Sequence, residues 1–284
     1  MRRRRRVRVP ASSANLGPGF DVLAAALAMH VDVEVVETGR FRVDSELSIA
    51  RDRRNLVVRG FARLHAPDDF EFRIASDVPL SGGLGTSAAA YVAGLLAADS
   101  IFELDADILA LATELEGHPD NVAAALLGGV ALRADGEATR FDPPAGLEAV
   151  LVVPRRVVRT AKARAALPAT VPMADAVFNV AHSSLLVLGL VQGRLDLVAR
   201  GLADRLHQPP RAALYPESMA LVERAQESGA LGATISGAGP TVLVWSVYDA
   251  TAGVVERLRA ETAGWADVRR VPFEPQGADV RALD

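Results

Sequence analysis

The sequence predicts an α+β protein of two domains, and three observations carry that prediction. Period-two alternation marks strands, longer apolar runs mark helices, and a proline-rich loop divides the chain near its middle. Val31, Val33 and Val35 alternate with Asp32 and Glu34, as a strand with one buried face requires. Phe70, Phe72 and Ile74 repeat the pattern with Glu71 and Arg73 facing outward. Helices are expected over 56–64, over the Ala/Leu-rich stretch 87–98, and over 108–115. Strands are expected over 129–134 and 149–153, on either side of a loop holding Pro143, Pro144, Ala145 and Gly146. That loop places the domain boundary between 1–147 and 148–284. Beyond it, helices are expected over 174–190, 194–206, 217–227 and 250–260, and strands over 233–235 and 242–247.

Composition narrows the function classes. Half of the 284 residues are hydrophobic and 23% are charged, enough for buried cores without a membrane signature. The apolar runs 88–98 and 122–127 are too short for a bilayer, so no membrane-spanning segment is expected. The absence of cysteine excludes disulfides, thiolate catalysis and cysteine–metal sites, and it fits a cytoplasmic setting. A net charge of −4 gives no general attraction to nucleic acid. The exception is the run Arg2 to Arg6, read as a solvated extension ahead of the first strand rather than a nucleic-acid arm. No apolar stretch follows it, so no secretory signal is expected.

The most informative segment is PLSGGLGTSAAA at 79–90. Gly82, Gly83 and Gly85 permit backbone turns that aim N–H groups one way, and a helix follows at once. Free amides and the positive end of a helix dipole together suit an anion such as phosphate. The segment lacks the Gly-Lys-Ser/Thr of a Walker loop and the third glycine of a dinucleotide fingerprint. The hydroxyls of Thr86 and Ser87 strengthen the phosphate reading: one is expected to cap the helix while the other reaches a metal–phosphate complex.

That segment resembles the ATP loop of the small-metabolite kinases that include galactokinase, homoserine kinase, mevalonate kinase and phosphomevalonate kinase (the GHMP kinases), with Thr86 where a serine is usual. PASSANLGPGFD at 10–21 and EGHPDNVAAALLGG at 116–129 resemble the homoserine kinase branch, and SGAGPT at 236–241 resembles the superfamily's third glycine motif. The resemblance implies an N-terminal domain like domain 2 of ribosomal protein S5, a ferredoxin-like C-terminal domain, and an active site between them. It also implies ATP and Mg²⁺ as cofactors and L-homoserine as substrate, phosphorylated to O-phospho-L-homoserine on the way to threonine. A homodimer is compatible with it. The alternatives are another kinase of this superfamily acting on a small alcohol and an inactive metabolite-binding protein on the same fold. The first lacks a use for residues that would bind an α-amino group; the second leaves the retained motifs unexplained.

By that resemblance, Pro79, Leu80, Ser81, Gly82, Gly83, Leu84, Gly85, Thr86 and Ser87 bind ATP, and Ser87 and Glu116 hold the metal. Glu114 is a competing carboxylate two residues away. Asn55 falls near the adenine and is also a natural helix cap. On the acceptor side stand Asn15, Asp21, Asn121 and Thr160, with Arg164 and Arg211 for the carboxylate, since a guanidinium fork can grip a carboxylate with two bonds. Asp21 takes the ammonium or the hydroxyl. His118, Asp120 and Asn121 form the catalytic group; His118 precedes Pro119 and also suits a helix cap. No base is assigned, because a loose phosphoryl-transfer transition state needs little deprotonation before attack, which favours alignment as the role of Asp120.

Overall fold

The computed structural model describes residues 3–80 and 82–283. The chain opens with two long strands, β1 (Arg4–Ala14) and β2 (Leu23–Glu37), that pair antiparallel. The short β3 (Arg42–Asp44) precedes α1 (Leu56–Ala62), and β4 (Phe70–Ser76) follows. Three helices come next: α2 (Thr86–Phe102), α3 (Ile108–Glu116) and α4 (Pro119–Leu127). A hairpin of β5 (Val130–Ala134) and β6 (Glu137–Phe141) leads to β7 (Leu147–Pro154). The second half carries α5 (Thr160–Ala165), α6 (Met173–Gln192), α7 (Leu195–Gly201), α8 (Gln208–Arg211) and α9 (Pro216–Arg224). It then alternates β8 (Gly232–Ile235), β9 (Val242–Val247), α10 (Tyr248–Thr262), β10 (Ala266–Arg270) and β11 (Asp279–Ala282).

These elements build two sheets. The first runs β11-β1-β2-β4-β3, with the β5–β6 hairpin joined to the other end of β2; the second runs β10-β7-β9-β8. Alternation decides which face of the first sheet is buried. Val7, Val9, Val31, Val33, Val35 and Phe72 lie inward, packed with the apolar residues of α2. That helix is buried on most sides, which explains why its apolar residues follow no stripe. Trp245, wholly buried on β9, joins this core, while Val150, Val152, Val242, Val244, Val254 and Leu258 form a second core with α9 and α10.

Several expectations change. Arg4, Arg5 and Arg6 are not a solvated extension: they lie in β1, where Arg4 pairs with Glu34 at 2.9 Å and Arg6 with Asp32 at 3.1 Å. Arg5 donates to the Ser100 hydroxyl and carbonyl. Arg2 lies outside the described residues. The final strand, which the sequence boundary puts with 148–284, returns to the first sheet, with Val280 opposite Val7. The expected helix over 194–206 stops at Gly201, because the Asp204 carboxylate turns the chain by accepting N–H bonds from Leu206, His207 and Gln208. The helix expected over 174–190 forms as α6, and its 20 residues, at a mean hydropathy of 1.6, are long and apolar enough by composition to cross a membrane. In the fold, α6 packs its Leu186, Gly189 and Leu190 side inward and leaves Val177, Val180 and Val191 exposed.

Candidate active site

A cleft of about 340 Å³ opens where the two halves meet, lined by residues 14–15, 20–21, 80, 82–87, 116, 118 and 120–121 of the first half and 157–160, 164, 211 and 237–238 of the second. Its floor is the glycine loop. Gly83 has φ +86°, and a Cβ there would sit 2.1 Å from the Ser236 carbonyl oxygen; Gly85 has φ +65°, and its Cβ would sit 2.1 Å from Ser12 Oγ. Only glycine meets both demands at once. The loop's carbonyls are tied back to the protein. Gly82 O accepts from Thr241 N at 3.2 Å, Gly83 O from Ser236 Oγ at 2.6 Å, and Leu84 O from Ser12 N at 3.1 Å. In a trans peptide the N–H points opposite the carbonyl, so the N–H groups of Gly83, Leu84 and Gly85 turn toward the cleft. They do so at the N-terminus of α2, which adds the positive end of its dipole.

Neither hydroxyl after the loop caps the helix, contrary to expectation. Gly85 is the N-cap, Thr86 Oγ1 donates to Pro79 O at 3.0 Å, and Ser87 Oγ meets the two Glu116 oxygens at 2.5 and 2.7 Å. Burial pushes the Glu116 carboxyl above its ordinary range, partly opposed by the Ser87 bond. Glu114 points elsewhere, exposed and paired with Arg63 at 3.2 Å. Ser87 and Glu116 therefore offer a pair of hard oxygen donors at the loop, a set that fits Mg²⁺, which takes few protein ligands when phosphates supply the rest.

Asn55 and Pro79 lie off this cleft, and Ser81 lies outside the described residues. Asn55 spends both ends of its amide on the chain, accepting from Val57 N at 2.9 Å as the α1 cap and donating to Ala50 O at 2.8 Å. It still edges a neighbouring pocket of about 260 Å³, lined by Leu47, Ile49 and Leu56, that shares Leu80, Thr86 and Ser87 with the main cleft.

The opposite wall is made of charges. The turn after β1 holds Asn15 at φ +72° and Asp21 at φ +57°. The Asn15 side chain braces it, accepting from Asp21 N at 3.0 Å and donating to Gly237 O at 2.8 Å across the cleft. Asp21 pairs with Arg164 Nη2 at 2.6 Å, and Arg164 Nε donates to His118 Nε2 at 3.1 Å. His118 thus turns its ring to an arginine instead of capping α4 with its side chain. A guanidinium cannot accept, so the facing nitrogen carries a lone pair and the ring is neutral. Burial, reinforced by Arg164, holds the His118 pKa below the ordinary value.

Asp120 is 2% exposed, and burial pushes its carboxyl up to about 6. The neighbouring Asp21 charge adds to that rise, while the Asn121 N–H bond and Arg164 oppose it. Asn121 turns its side-chain carbonyl oxygen to Ser12 Oγ at 2.9 Å, against Gly85, so that end faces the phosphate loop. Thr160 lines the cleft at the start of α5. Arg211 reaches the cleft although only 1% of it is exposed. Its Nε donates to Ala163 O at 3.0 Å, and its Nη1 to His207 Nδ1 at 3.2 Å and Gly237 O at 3.3 Å. The expected two-pronged grip is therefore partly spent on the protein, and among the described residues only Nη2 has no partner.

Two residues were missed. Phe20 lies between the two arginines, its ring 5.6 Å from Arg164 and 5.5 Å from Arg211, and stacks on His207 at 5.3 Å. Phe20 sits inside the motif at 10–21 and His207 four residues before Arg211, yet no one-dimensional pattern reveals a ring shared by residues some 140 to 190 positions away.

Comparison with known proteins places this geometry. The N-terminal GHMP kinase family model matches residues 55–129 and the C-terminal GHMP kinase model residues 186–261. A homoserine kinase of Streptomyces avermitilis is 42% identical over 98% of this chain and 96% of its own. One of Gloeobacter violaceus is 45% identical over 96% and 98%. The crystal structure of a homoserine kinase from Cytophaga hutchinsonii superposes with a TM-score of 0.87 at 28% identity, covering 98% of this chain and 97% of that one.

Proposed function

The chain belongs to the GHMP kinase family, and from that premise we propose that it transfers the γ-phosphoryl group of ATP to the side-chain hydroxyl of L-homoserine, yielding O-phospho-L-homoserine and ADP. One observation carries the reading beyond the family. The cleft sets inward amides on one wall against Asp21, Arg164 and Arg211 on the other, opposite charges suited to the ammonium and carboxylate of an α-amino acid.

The nucleotide's phosphates lie along the N–H groups of Gly83, Leu84 and Gly85, and its base enters the pocket edged by Asn55 and Leu56. Ser87 and Glu116 would hold Mg²⁺, whose charge would offset that of the phosphates. On the acceptor side, Asp21 takes the ammonium, and Arg164 with Arg211 Nη2 takes the carboxylate. Asp120 lies next in sequence to Asn121, which touches Gly85, and feels the charges of Asp21 and Arg164. It accepts the hydroxyl's hydrogen bond, aligns the oxygen with the γ-phosphorus, and takes the proton as the new O–P bond forms. A pKa near 6 suits that role at neutral pH, since the base is ionised yet still binds a proton readily. Alignment alone, favoured by the sequence, gives way here to alignment with proton transfer. His118 has its free nitrogen engaged by Arg164 and acts by orienting that arginine.

The test is ATP turnover by purified protein with L-homoserine, with mevalonate and with no acceptor, the product identified by mass spectrometry. Homoserine alone is expected to stimulate ADP release and yield the phosphate ester. Equal rates with all three, or preference for mevalonate, would contradict the proposal.

A further inference from the structure

We propose that His207 is the positioning residue that fixes Arg211, so that a neutral histidine deep in the protein sets the reach of the acceptor site for a substrate carboxylate. This rests on the reading of Arg211 as a carboxylate ligand.

His207 and the Asp204 side chain are fully buried. Every polar atom of the His207 ring has a partner whose chemistry dictates its protonation. Arg211 Nη1 faces Nδ1 at 3.2 Å, and a guanidinium only donates, so Nδ1 presents its lone pair. Nε2 lies 2.7 Å from the Gly17 carbonyl oxygen, which only accepts, so Nε2 carries the hydrogen. One tautomer of the neutral ring satisfies both, and a doubly protonated ring would point an N–H at a cation. The Asp204 Oδ2 stands 3.8 Å from Nε2, beyond hydrogen-bond reach. Its oxygens are already spent on Asn179 Nδ2 at 2.7 Å and on the N–H groups of Leu206, His207 and Gln208. Asp204 therefore fixes the backbone that carries His207 without drawing a proton onto the ring.

The ring thus joins two parts of the acceptor wall. Through Nε2 it holds Gly17, in the turn bearing Asn15 and Asp21; through Nδ1 it holds Arg211. Together with Ala163 O and Gly237 O it uses up the Nε and Nη1 hydrogens of Arg211, leaving Nη2 for the cleft. Binding by one preset nitrogen depends on where that nitrogen stands, and a displacement of an ångström is costly.

The experiment measures kcat and both Michaelis constants for His207→Leu, His207→Gln and His207→Asn, with Arg211→Gln as the control. Asparagine places its amide oxygen near the Nδ1 position and keeps the acceptor for Arg211; glutamine reaches the Nε2 position and keeps only the bond to Gly17. His207→Gln and His207→Leu are expected to raise the KM for homoserine by about 10-fold while the KM for ATP stays within about 2-fold, and His207→Asn is expected to recover most of that loss. Rescue by glutamine instead of asparagine, an unchanged KM for homoserine in His207→Gln, or equal rises for both substrates would overturn the proposal. If Arg211→Gln leaves the KM for homoserine unchanged, the carboxylate reading itself falls. If that control loses affinity while His207→Gln does not, the carboxylate reading survives and the positioning role alone is refuted.

Discussion

The two walls of the cleft are built from different materials. The phosphate wall is backbone: three carbonyls tied back to Ser12, Ser236 and Thr241 turn three amides toward the cleft, and Ser87 and Glu116 add side-chain chemistry. The acceptor wall is side chain: Asp21, His118, Asp120, Arg164, His207 and Arg211 come from both halves of the chain and bond chiefly to one another and to the backbone. Backbone sites depend on which positions lack a Cβ. Side-chain sites depend on buried charges balancing, so the acceptor wall is where pH and charge-altering substitutions act most strongly.

Asp120→Asn should show the largest effect. Removing a proton acceptor is expected to lower kcat by about 10³-fold, with homoserine still bound in a calorimetric titration. Ser87→Ala comes next, with an expected loss of about 10²-fold in kcat, or ~2.7 kcal/mol, and a weakened response to Mg²⁺ titration. Full activity with normal Mg²⁺ dependence would remove Ser87 from the metal site. Arg211→Lys keeps the charge but loses the planar nitrogen set, so the KM for homoserine should rise several-fold more than that for ATP; equal rises would point to a folding defect.

Asp120 also carries a stability signature of opposite sign to its catalytic one. Its folded pKa of about 6 lies above its ordinary value of 3.8, so the fold binds that proton more tightly than the unfolded chain does. The group therefore favours folding fully below pH ~4, and that contribution is lost as pH rises through about 6. Asp120→Asn should accordingly gain about 1–3 kcal/mol relative to the wild type on going from pH ~4 to pH ~7.5, read from denaturation curves at the two pH values. A constant difference between the two proteins would contradict the raised pKa. Thr86→Ser is expected to change least, since either hydroxyl can donate to Pro79 O, and kinetics within about 2-fold of the wild type check it.

The same division decides what the sequence discloses. Gly83 and Gly85 are legible because a backbone requirement leaves a residue-type trace, and β2 and β4 are legible because one buried face imposes alternation. The β5–β6 hairpin leaves only a turn signal in the chain, Asp135-Gly136 with both φ angles positive between Ala134 and Glu137, because β6 is a short strand with no buried residue to impose alternation. β1 was hidden because its arginines neutralise Glu34 and Asp32 on the adjacent strand, a fact that only pairing exposes. His207 and Phe20 left no trace of their roles, since each acts through a partner remote in sequence. Glu114 and Glu116 look alike in the chain for the same reason, and only the fold turns one to Arg63 and the other to Ser87.

The most direct test of the contrast between the walls is the pH dependence of kcat at saturating ATP, Mg²⁺ and homoserine, in the wild type and in Asp120→Asn. A buried carboxylate that accepts the proton predicts that wild-type kcat rises with pH through about 6 to a plateau, and that the variant binds homoserine but loses that limb along with nearly all turnover. A flat wild-type profile between pH ~5 and ~8, with substantial turnover retained in Asp120→Asn, would contradict it and return Asp120 to a role in alignment alone.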